Sequence, residues 1–338
     1  MEDSFVSQVV RDNYNINATS VEKIKNIYKV SDGQKNYCLK IIKYELAHFL
    51  FIIGTINYLI ENNFKAVLPI IRTVDGRQYI SIDNAYAYLY PWVEARKSNY
   101  DNPSDIKKAV NTLAFLHKKS NGFILTENMM PRIGWFRWID IFRTRTSEIL
   151  DFKNRIEQKP NKTDFDEMYM KHIEDELYRS ELSIEHLSES DYYIKMMDEI
   201  RFHGFCHHDF ANHNVLFDLN GEVRVIDFDY VILDSHLHDL ASILIRTMKN
   251  GKWDIKNAEY ILRCYSEVKR VESNDIPILA AFMEFPQDFW QVGIQYYWEK
   301  QPWGEEFFLR KLRRIIEDAD YKQDFIDNFN CANSINIL

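Results

Sequence analysis

Residues 206–230, CHHDFANHNVLFDLNGEVRVIDFDY, contain five acidic residues and three histidines. Two apolar runs flank Asn220 and Gly221 in the middle of this stretch. Asn-Gly is the strongest two-residue signal for a β-hairpin, because a type I′ turn requires positive φ at both central positions. The stretch is therefore predicted to form a hairpin that concentrates ionisable side chains.

A two-residue turn at these positions fixes which residues of the two strands face each other. Leu216 is then expected opposite Val225, and Asn214 opposite Asp227. Directly opposed residues hold their Cβ atoms about 4.5–5.5 Å apart. One magnesium ion bound by an amide oxygen and a carboxylate oxygen can bridge that distance, so Asn214 and Asp227 are predicted to be metal ligands.

Asp209 lies five residues before Asn214, in the segment that leads into the first strand of the hairpin. Phosphoryl transfer needs a carboxylate that orients the acceptor hydroxyl and accepts its proton, together with metal ligands that neutralise charge on the phosphates. Asp209 is therefore predicted to be the catalytic base, with Asn214 and Asp227 holding Mg²⁺.

The overall composition limits the classes of partner. The chain has 338 residues, of which 46% are hydrophobic, and a formal net charge of -9. This is enough apolar material for a large core, and the acidic balance argues against a nucleic-acid partner. The first residues lack the pattern of a secretory signal, and the apolar run at residues 46–60 is too short to cross a membrane. We expect a cytoplasmic protein that binds neither nucleic acid nor membrane.

Cysteine usage gives no sign of a disulfide framework or a zinc ribbon. The four cysteines lie far apart in sequence and form no CxxC pair, so neither kind of site is indicated. We expect them to be reduced core residues. They are Cys38, Cys206, Cys264 and Cys331.

The first ninety residues read as strands with one helix inserted. Residues 24–30 and 36–42 are predicted to form a hairpin, followed by a helix at residues 44–62. A second hairpin is expected at residues 68–83, with its turn at Asp75 and Gly76, and a further strand at residues 85–90.

From residue 102 onward the apolar spacing becomes helical, apart from the hairpin at residues 206–230. We therefore predict an α+β protein with two lobes. Residues 1–90 would form a small strand-rich lobe, and residues 91–338 a larger, mainly helical lobe that carries the hairpin.

The pattern HxDxxxxN formed by His207, Asp209 and Asn214, followed by Asp227 and Phe228, resembles the catalytic loop and metal motif of protein kinases. His208 stands where protein kinases have arginine, and Asp229 replaces the glycine of DFG.

The acidic residue at position 229, together with HDLA at residues 238–241, makes this segment similar to sequences of the aminoglycoside phosphotransferase and choline kinase superfamily. LAFLHKKSNGF at residues 113–123 resembles a helix of the same group. The resemblance implies a two-lobed kinase-like fold and a small-molecule kinase, with Asp239 as a structural anchor of the catalytic loop.

The same resemblance implies a nucleotide site with ATP or GTP as the donor. Lys40 on the third strand would contact the phosphates, and the backbone of Leu89 and Tyr90 would contact the adenine edge. Two features depart from the pattern. The following helix offers only Glu45 and Glu61, near its ends, as partners for the lysine, and the Ser-Asp-Gly turn at residues 31–33 lacks repeated glycines.

A narrower resemblance covers nearly the whole chain. Residues 244–265 and 280–300 resemble helices of the CotS-type spore coat proteins of endospore-forming bacteria, which belong to this kinase-like superfamily. Membership implies synthesis in the mother cell, deposition in the spore coat, and other coat proteins as partners.

Three functions remain open from the sequence. The first is transfer of phosphate from ATP to a hydroxyl group of a small molecule, and the second is a structural coat component that keeps the fold without turnover. The third is a transition-metal hydrolase, since imidazoles are common zinc ligands, although no HExxH occurs. Its candidate ligands are His203, His207, His208, His213, His236 and His238.

Aromatic residues are frequent between Phe282 and Trp303. They would line either an acceptor pocket or a helix core, and the core is the simpler interpretation. Trp135, Phe136 and Trp138 allow the same two interpretations.

Overall fold

The computed structural model describes residues 3–331, except for the side chains of the last two. The chain forms two compact units. One contains the residues up to Arg132 together with His207–Leu233, and the other contains Ile133–Cys206 and the residues from Asp234 onward. Contacts therefore group the acidic hairpin with the N-terminal strands. The division at residue 90 stays a prediction, because it separates the chain by secondary-structure content rather than by contacts.

An antiparallel sheet of five strands dominates the first unit, with strand order β1-β2-β3-β5-β4. Helix α1 (Asp3–Tyr14) packs on one face of it through Val6 and Val10, which share a core with Leu39 and Leu89. The strands of this sheet are β1 (Ser20–Ile24), β2 (Ile27–Ser31), β3 (Asn36–Ile42), β4 (Ile80–Ile82) and β5 (Ala85–Pro91).

The first predicted hairpin is present as β2 and β3, which pair from Ile27 opposite Lys40 to Ser31 opposite Asn36. The second predicted hairpin is wrong. A turn does form around Asp75 and Gly76, since Thr73 N–H donates to the Arg77 carbonyl (2.8 Å). The segments on either side of this turn do not form a two-stranded ladder, because β4 takes β5 as its partner instead.

Two helices complete the first unit beside a small second sheet. Helix α2 (Leu46–Glu61) lies within the helix predicted at residues 44–62, and α3 (Pro103–Ser120) begins at an Asn102 cap whose side chain accepts from Ser104 N–H. The second sheet has three antiparallel strands in the order β6-β7-β8. They are β6 (Ala95–Lys97), β7 (Val215–Asp218) and β8 (Val223–Val225).

The predicted hairpin exists as β7 and β8, but its predicted register is wrong by one residue. Val215, not Leu216, lies opposite Val225. The Ile226 N–H donates to the carbonyl of Asn214 (3.0 Å), so Asn214 is paired with Ile226 rather than with Asp227.

The turn explains the shift in register. Gly221 N–H donates to the Asp218 carbonyl (2.8 Å), and Asp218 N–H donates to the Glu222 carbonyl (3.0 Å). Of the two predicted turn residues only Gly221 has positive φ, at 75°. This is the pattern of a three-residue loop, in which a type I turn is followed by one residue in the left-handed region.

The second unit is helical. Its core is formed largely by aromatic and aliphatic side chains of α4, α5, α10 and α11, including Phe152, Phe165, Tyr169, Phe289 and Phe308. Helix α5 starts with a capping box between Thr163 and Asp166, which satisfies backbone N–H groups that a helix leaves unpaired. The helices are α4 (Trp138–Glu157), α5 (Asp164–Glu189), α6 (Tyr192–Phe202), α7 (His236–Met248), α8 (Ile255–Ser266), α9 (Asp275–Glu284), α10 (Gln287–Gly293) and α11 (Glu305–Cys331).

Three of the four cysteines, Cys38, Cys206 and Cys264, are free and buried, as predicted. The side chain of Cys331 lies outside the part of the chain that is described. Within residues 3–331, no helix combines the length and apolar character needed to cross a membrane.

Candidate active site

Lys40 is a buried cation held by two carboxylates. Its side chain is 3% exposed, and its Nζ lies 2.6 Å from Asp227 Oδ1 and 2.6 Å from Asp229 Oδ1. β3 places the lysine in the middle of the five-stranded sheet, directly opposite Tyr88 of β5. The lysine that sequence reasoning assigned to phosphate binding therefore lies beside the aspartate that it assigned to the metal.

The electrostatics of this group favour a charged lysine. Burial acts to lower the pKa of Lys40, but the acidic groups around it, Tyr88, Asp229 and Asp227, raise it above its ordinary value. Burial also raises the pKa of Tyr88 well above 10.0, so near neutral pH the phenol is uncharged and the negative charge beside the ammonium comes from the two aspartates.

The two carboxylates respond differently to the same surroundings. Burial acts to raise the pKa of Asp227, but the charge and hydrogen bond of Lys40 bring it below its ordinary value. Asp229 has a raised pKa, because burial and the neighbouring Asp227 charge outweigh the opposing effect of Lys40. With both carboxylates ionised the cluster carries one more negative than positive charge, which suits a divalent cation.

Asp227 lies where the strand ends. Its φ is 67°, in the left-handed region, and a short 3₁₀ turn at Phe228–Tyr230 follows it. Non-glycine residues rarely adopt this backbone, and such residues cluster at functional sites. The side-chain alternation of β8 therefore ends at this residue, which a register argument from the hairpin does not anticipate.

The side chain of His207 contacts the backbone just after β8. Its Nε2 contacts the Ile226 carbonyl (3.0 Å), and its Nδ1 accepts from the Asp209 N–H (3.3 Å). The ring is fully buried and packs on Phe228, with the ring centroids 4.9 Å apart. Both ring nitrogens of His207 therefore contact protein groups within this unit.

Asp209 and Asn214 form a second polar pair in the same unit. The Asn214 amide nitrogen donates to the carbonyl of Asp209 (2.9 Å) and to its carboxylate Oδ2 (2.9 Å). Asn214 is buried, while the Asp209 side chain is 24% exposed. With its amide nitrogen engaged in this way, the Asn214 side chain has its oxygen as the atom suited to a cation.

The donor set fits a magnesium nucleotide. Carboxylate and amide oxygens from Asp227 and Asn214 are the ligand type that Mg²⁺ prefers, and Lys40 is a buried ammonium of the kind that binds phosphate. The predicted assignments of Asp209, Asn214, Asp227 and Lys40 stay predictions of role.

The predicted adenine contacts at Leu89 and Tyr90 fall within β5. The Leu89 carbonyl accepts from the Ile71 N–H (2.7 Å), and the Leu89 side chain is fully buried. Tyr90 lies opposite Cys38 on the sheet, and burial raises the pKa of its phenol well above 10.0. The carbonyl of Leu89 is thus occupied, and the nucleotide role of both residues stays a prediction.

Asp229 was missed as a partner of Lys40 by the sequence reasoning. That reasoning sought a glutamate in α2, where the two candidates, Glu45 and Glu61, are both exposed. Asp229 instead meets the lysine from the segment after β8. The acidic residue two positions after Asp227 was the available signal, because it lies next to the motif that supplies the other carboxylate.

The backbone amides of the turn between β2 and β3 donate to side chains of the same turn. The Asp32 carboxylate accepts from the N–H groups of Gln34 (2.8 Å) and Lys35 (2.7 Å), and the Ser31 hydroxyl accepts from Gly33 N–H (3.2 Å). A phosphate-binding loop directs such amides at the ligand. This turn therefore lacks the repeated glycines of a phosphate-binding loop. Its backbone amides at Gly33, Gln34 and Lys35 already donate to side chains of the same turn.

The aromatic residues of the second unit are used mainly in packing. Tyr296 stacks on Phe165 with ring centroids 4.0 Å apart, and the Tyr297 hydroxyl donates to Asp166 (3.0 Å). Trp138 is buried and donates to Asp234 (2.9 Å). These contacts favour the helix core over an acceptor pocket.

Two polar residues of α7 are also buried within the helical unit. His236 Nδ1 lies 2.6 Å from Glu199 Oε1, inside the second unit. Asp239 is fully buried near the start of the helix, and its anchoring role stays a prediction.

Three solved structures of similar fold are an aminoglycoside phosphotransferase, a spectinomycin phosphotransferase and an amicoumacin kinase. An aminoglycoside phosphotransferase from Alicyclobacillus acidocaldarius is 19% identical, with a TM-score of 0.83 over 98% of this chain and 96% of that one. Spectinomycin phosphotransferase APH(9)-Ia, solved with ADP and spectinomycin, is 15% identical, with a TM-score of 0.71 over 99% of both chains. Amicoumacin kinase hAmiN, solved with AMP-PNP and Ca²⁺, is 13% identical, with a TM-score of 0.67 over 97% of this chain and 94% of that one.

These likenesses confirm the predicted α+β kinase-like fold. No curated protein matches the chain in sequence. A family model described as "Spore coat putative kinase YutH" matches residues 7–329. Since this match spans nearly the whole chain, the protein belongs to that family of kinase-like spore coat proteins, in agreement with its CotS-type sequence features.

Proposed function

We propose that this protein transfers phosphate from ATP or GTP to a hydroxyl group of a small molecule at the spore coat. The observation that supports it best is the buried contact of Lys40 with Asp227 and Asp229, at 2.6 Å each. Burying a lysine is costly unless it is paired. The ammonium is buried, while the Asp227 side chain is 36% exposed, so a ligand can reach the cluster, and this arrangement suits a phosphate and its metal.

Each polar group has a defined task in this proposal. Bound Mg²⁺ and nucleotide would supply the phosphoryl group and neutralise its charge. Asp227 and the side-chain oxygen of Asn214 hold the metal, and Lys40 neutralises phosphate oxygens. Asp209 accepts the proton of the acceptor hydroxyl, whose oxygen forms the new bond to phosphorus as the bond to the nucleotide diphosphate breaks.

The hydrogen bond from Asn214 orients the Asp209 carboxylate for this role. The amide that donates to Asp209 Oδ2 at 2.9 Å restricts the rotation of the carboxylate. A fixed carboxylate accepts a proton from a hydroxyl without first paying orientation entropy.

The direct test is an Asp209→Asn variant assayed for ADP release with a panel of sugars, amino alcohols and aminoglycosides. We expect turnover to fall at least about 100-fold, the usual contribution of a general base, with nucleotide affinity preserved. Glu222→Gln is the matched control, because it removes an exposed carboxylate from the same hairpin. Full turnover in Asp209→Asn would refute the assignment of the base.

A structural coat component without turnover is the second candidate. The closed turn between β2 and β3 favours it, since the amides of Gln34 and Lys35 are taken by Asp32. Tight binding of magnesium nucleotide to the parent protein, with no ADP release for any acceptor or for water, would support this alternative.

A further inference from the structure

A long groove opens on the first unit at the turn end of the β7–β8 hairpin. It has a volume of about 980 Å³ and is lined by residues 63–66, by one face of α3 and by residues 221–224. The α3 wall runs from Ser104 to Lys119, about 22 Å of helix at 1.5 Å per residue. An extended chain of about six or seven residues has that length.

The lining is basic, although the chain as a whole is acidic. Five basic side chains and one acidic side chain, Glu222, face the groove, in a chain with a net charge of -9. Arg224 is paired with Asp218 (3.0 Å), and the other four basic residues are lysines. The basic residues are Lys65, Lys107, Lys108, Lys119 and Arg224.

An apolar contact surface lies among these charges. Phe115 is 46% exposed on the groove face of α3, one helical turn before Lys119. Val223 of β8 contributes a partly exposed aliphatic side chain on the opposite wall. Exposed aromatic side chains beside basic residues are frequent anchors for a protein partner.

The walls are held in place by hydrogen bonds. Val225 N–H donates to the Ala66 carbonyl (2.8 Å), Arg224 Nη1 donates to the Lys65 carbonyl (2.8 Å), and Lys108 Nζ donates to the Gly221 carbonyl (3.0 Å). Each of the three lining segments is thus tied to a neighbour. A groove fixed in this way loses less conformational entropy when a ligand binds.

We propose that this groove binds an extended acidic segment of a partner protein. Carboxylates of the segment would contact the lysines, and one aromatic or aliphatic side chain would pack on Phe115. A small anion would use neither the length of the groove nor Phe115. Nucleic acid is less suitable, because a duplex extends beyond the groove onto a surface whose overall charge is negative.

The test uses the full chain and a fluorescein-labelled peptide of about eight Asp and Glu residues with one central Phe. Binding is followed by fluorescence anisotropy at an ionic strength of about 0.1 M or below, where exposed charges still interact over about 10 Å. We expect saturable binding that Lys65→Glu/Lys119→Glu weakens at least about ten-fold. These two lysines lie on different lining segments of the groove.

The matched control is Lys23→Glu/Lys118→Glu, which makes the same charge change at two exposed lysines outside the groove. We expect its affinity to stay within about two-fold of the parent. Equal weakening by both double variants would show general charge attraction and overturn the proposal. So would the absence of binding.

Phe115 provides a second readout that does not depend on charge. Phe115→Ser should weaken the Phe-containing peptide and leave a peptide with Ala in place of Phe unaffected, a coupling that a double-mutant cycle measures. Tighter binding of an oligonucleotide of matched charge would assign the groove to nucleic acid instead. Self-association of the parent chain that Lys65→Glu/Lys119→Glu abolishes, seen by sedimentation, would assign it to a second copy.

Discussion

At the scale of single residues, Asp229 changes the net charge of the cluster around Lys40. A lysine on a central strand with one carboxylate would form a neutral pair, but here it contacts two. The second carboxylate leaves the cluster with a net negative charge when both are ionised. Because the pKa of Asp229 is raised and that of Asp227 is lowered, protonation should remove the charge of Asp229 first.

This ordering predicts a pH dependence of metal binding. As the pH falls through the raised pKa of Asp229, the cluster gains a proton and loses its excess negative charge, so affinity for a divalent cation should decrease. Mn²⁺ binding measured by electron paramagnetic resonance over a pH range from acidic to neutral should show this decrease in the parent protein as the pH is lowered.

Asp229→Asn should bind Mn²⁺ about ten-fold more weakly at the upper end of this range, which is about 1.4 kcal/mol, and should show a flatter pH profile. The control is Asp229→Glu, which keeps the charge. If Asp229→Asn bound the ion as tightly as the parent protein at high pH, the excess charge would have no role.

At the scale of elements, the β7–β8 hairpin shows how a turn decides a register. Its Asp218 carboxylate accepts from the N–H groups of Asn220 (2.9 Å) and Glu222 (3.0 Å). These bonds stabilise a three-residue connection with one left-handed position at Gly221. An Asn-Gly pair fits this loop as well as the two-residue turn.

The two turn types predict different sensitivities to substitution. Gly221→Ala should lower the free energy of unfolding by about 1 kcal/mol, because an L residue is disfavoured at φ of 75°. The cost is conformational, since an added Cβ would meet only the Lys108 ammonium at 3.8 Å, an ordinary contact.

Asn220→Ala should cost less than about 0.5 kcal/mol, since that position has no positive φ. Urea denaturation measures both effects, and Gly221→Asn should recover part of the loss because Asn tolerates the left-handed region. An equal cost at positions 220 and 221 would instead support the two-residue turn.

At the scale of the whole molecule, the proposed nucleotide and metal residues all lie in one compact unit. Lys40 comes from the five-stranded sheet, and Asp209, Asn214 and Asp227 come from the segment that returns to this unit after residue 206. A ligand that contacts all four would join segments distant in sequence. Such a ligand binds the folded chain and not the unfolded one, and therefore stabilises the fold.

Magnesium ATP at about 100 times its dissociation constant should stabilise the protein by about 2.7 kcal/mol, measured as a rise in Tm by scanning calorimetry. Asp227→Asn, or removal of the metal by chelation, should abolish most of this rise. Glu222→Gln should leave it unchanged. A shift that is the same with and without magnesium, in the parent and in Asp227→Asn, would contradict the proposed metal site.

Elements that depend on short-range patterns could be predicted from the order of amino acids alone. The first hairpin, helices α2 and α3, strand β5 and the existence of the acidic hairpin all follow from apolar periodicity and turn residues within a few positions of one another. The spacing of His207, Asp209, Asn214 and Asp227 is likewise local, and it indicated the kinase-like fold that the solved relatives confirm.

The partners of these residues depend on contacts between distant segments and follow from the three-dimensional fold. Lys40 and Asp227 are 187 positions apart, and no local pattern specifies which of the available carboxylates a buried lysine meets. Asp229 takes the place of a helix glutamate because the segment after β8 approaches β3, while Glu45 and Glu61 remain exposed. The register differed from its prediction because side-chain bonds from Asp218 selected one of two turns that Asn and Gly both permit.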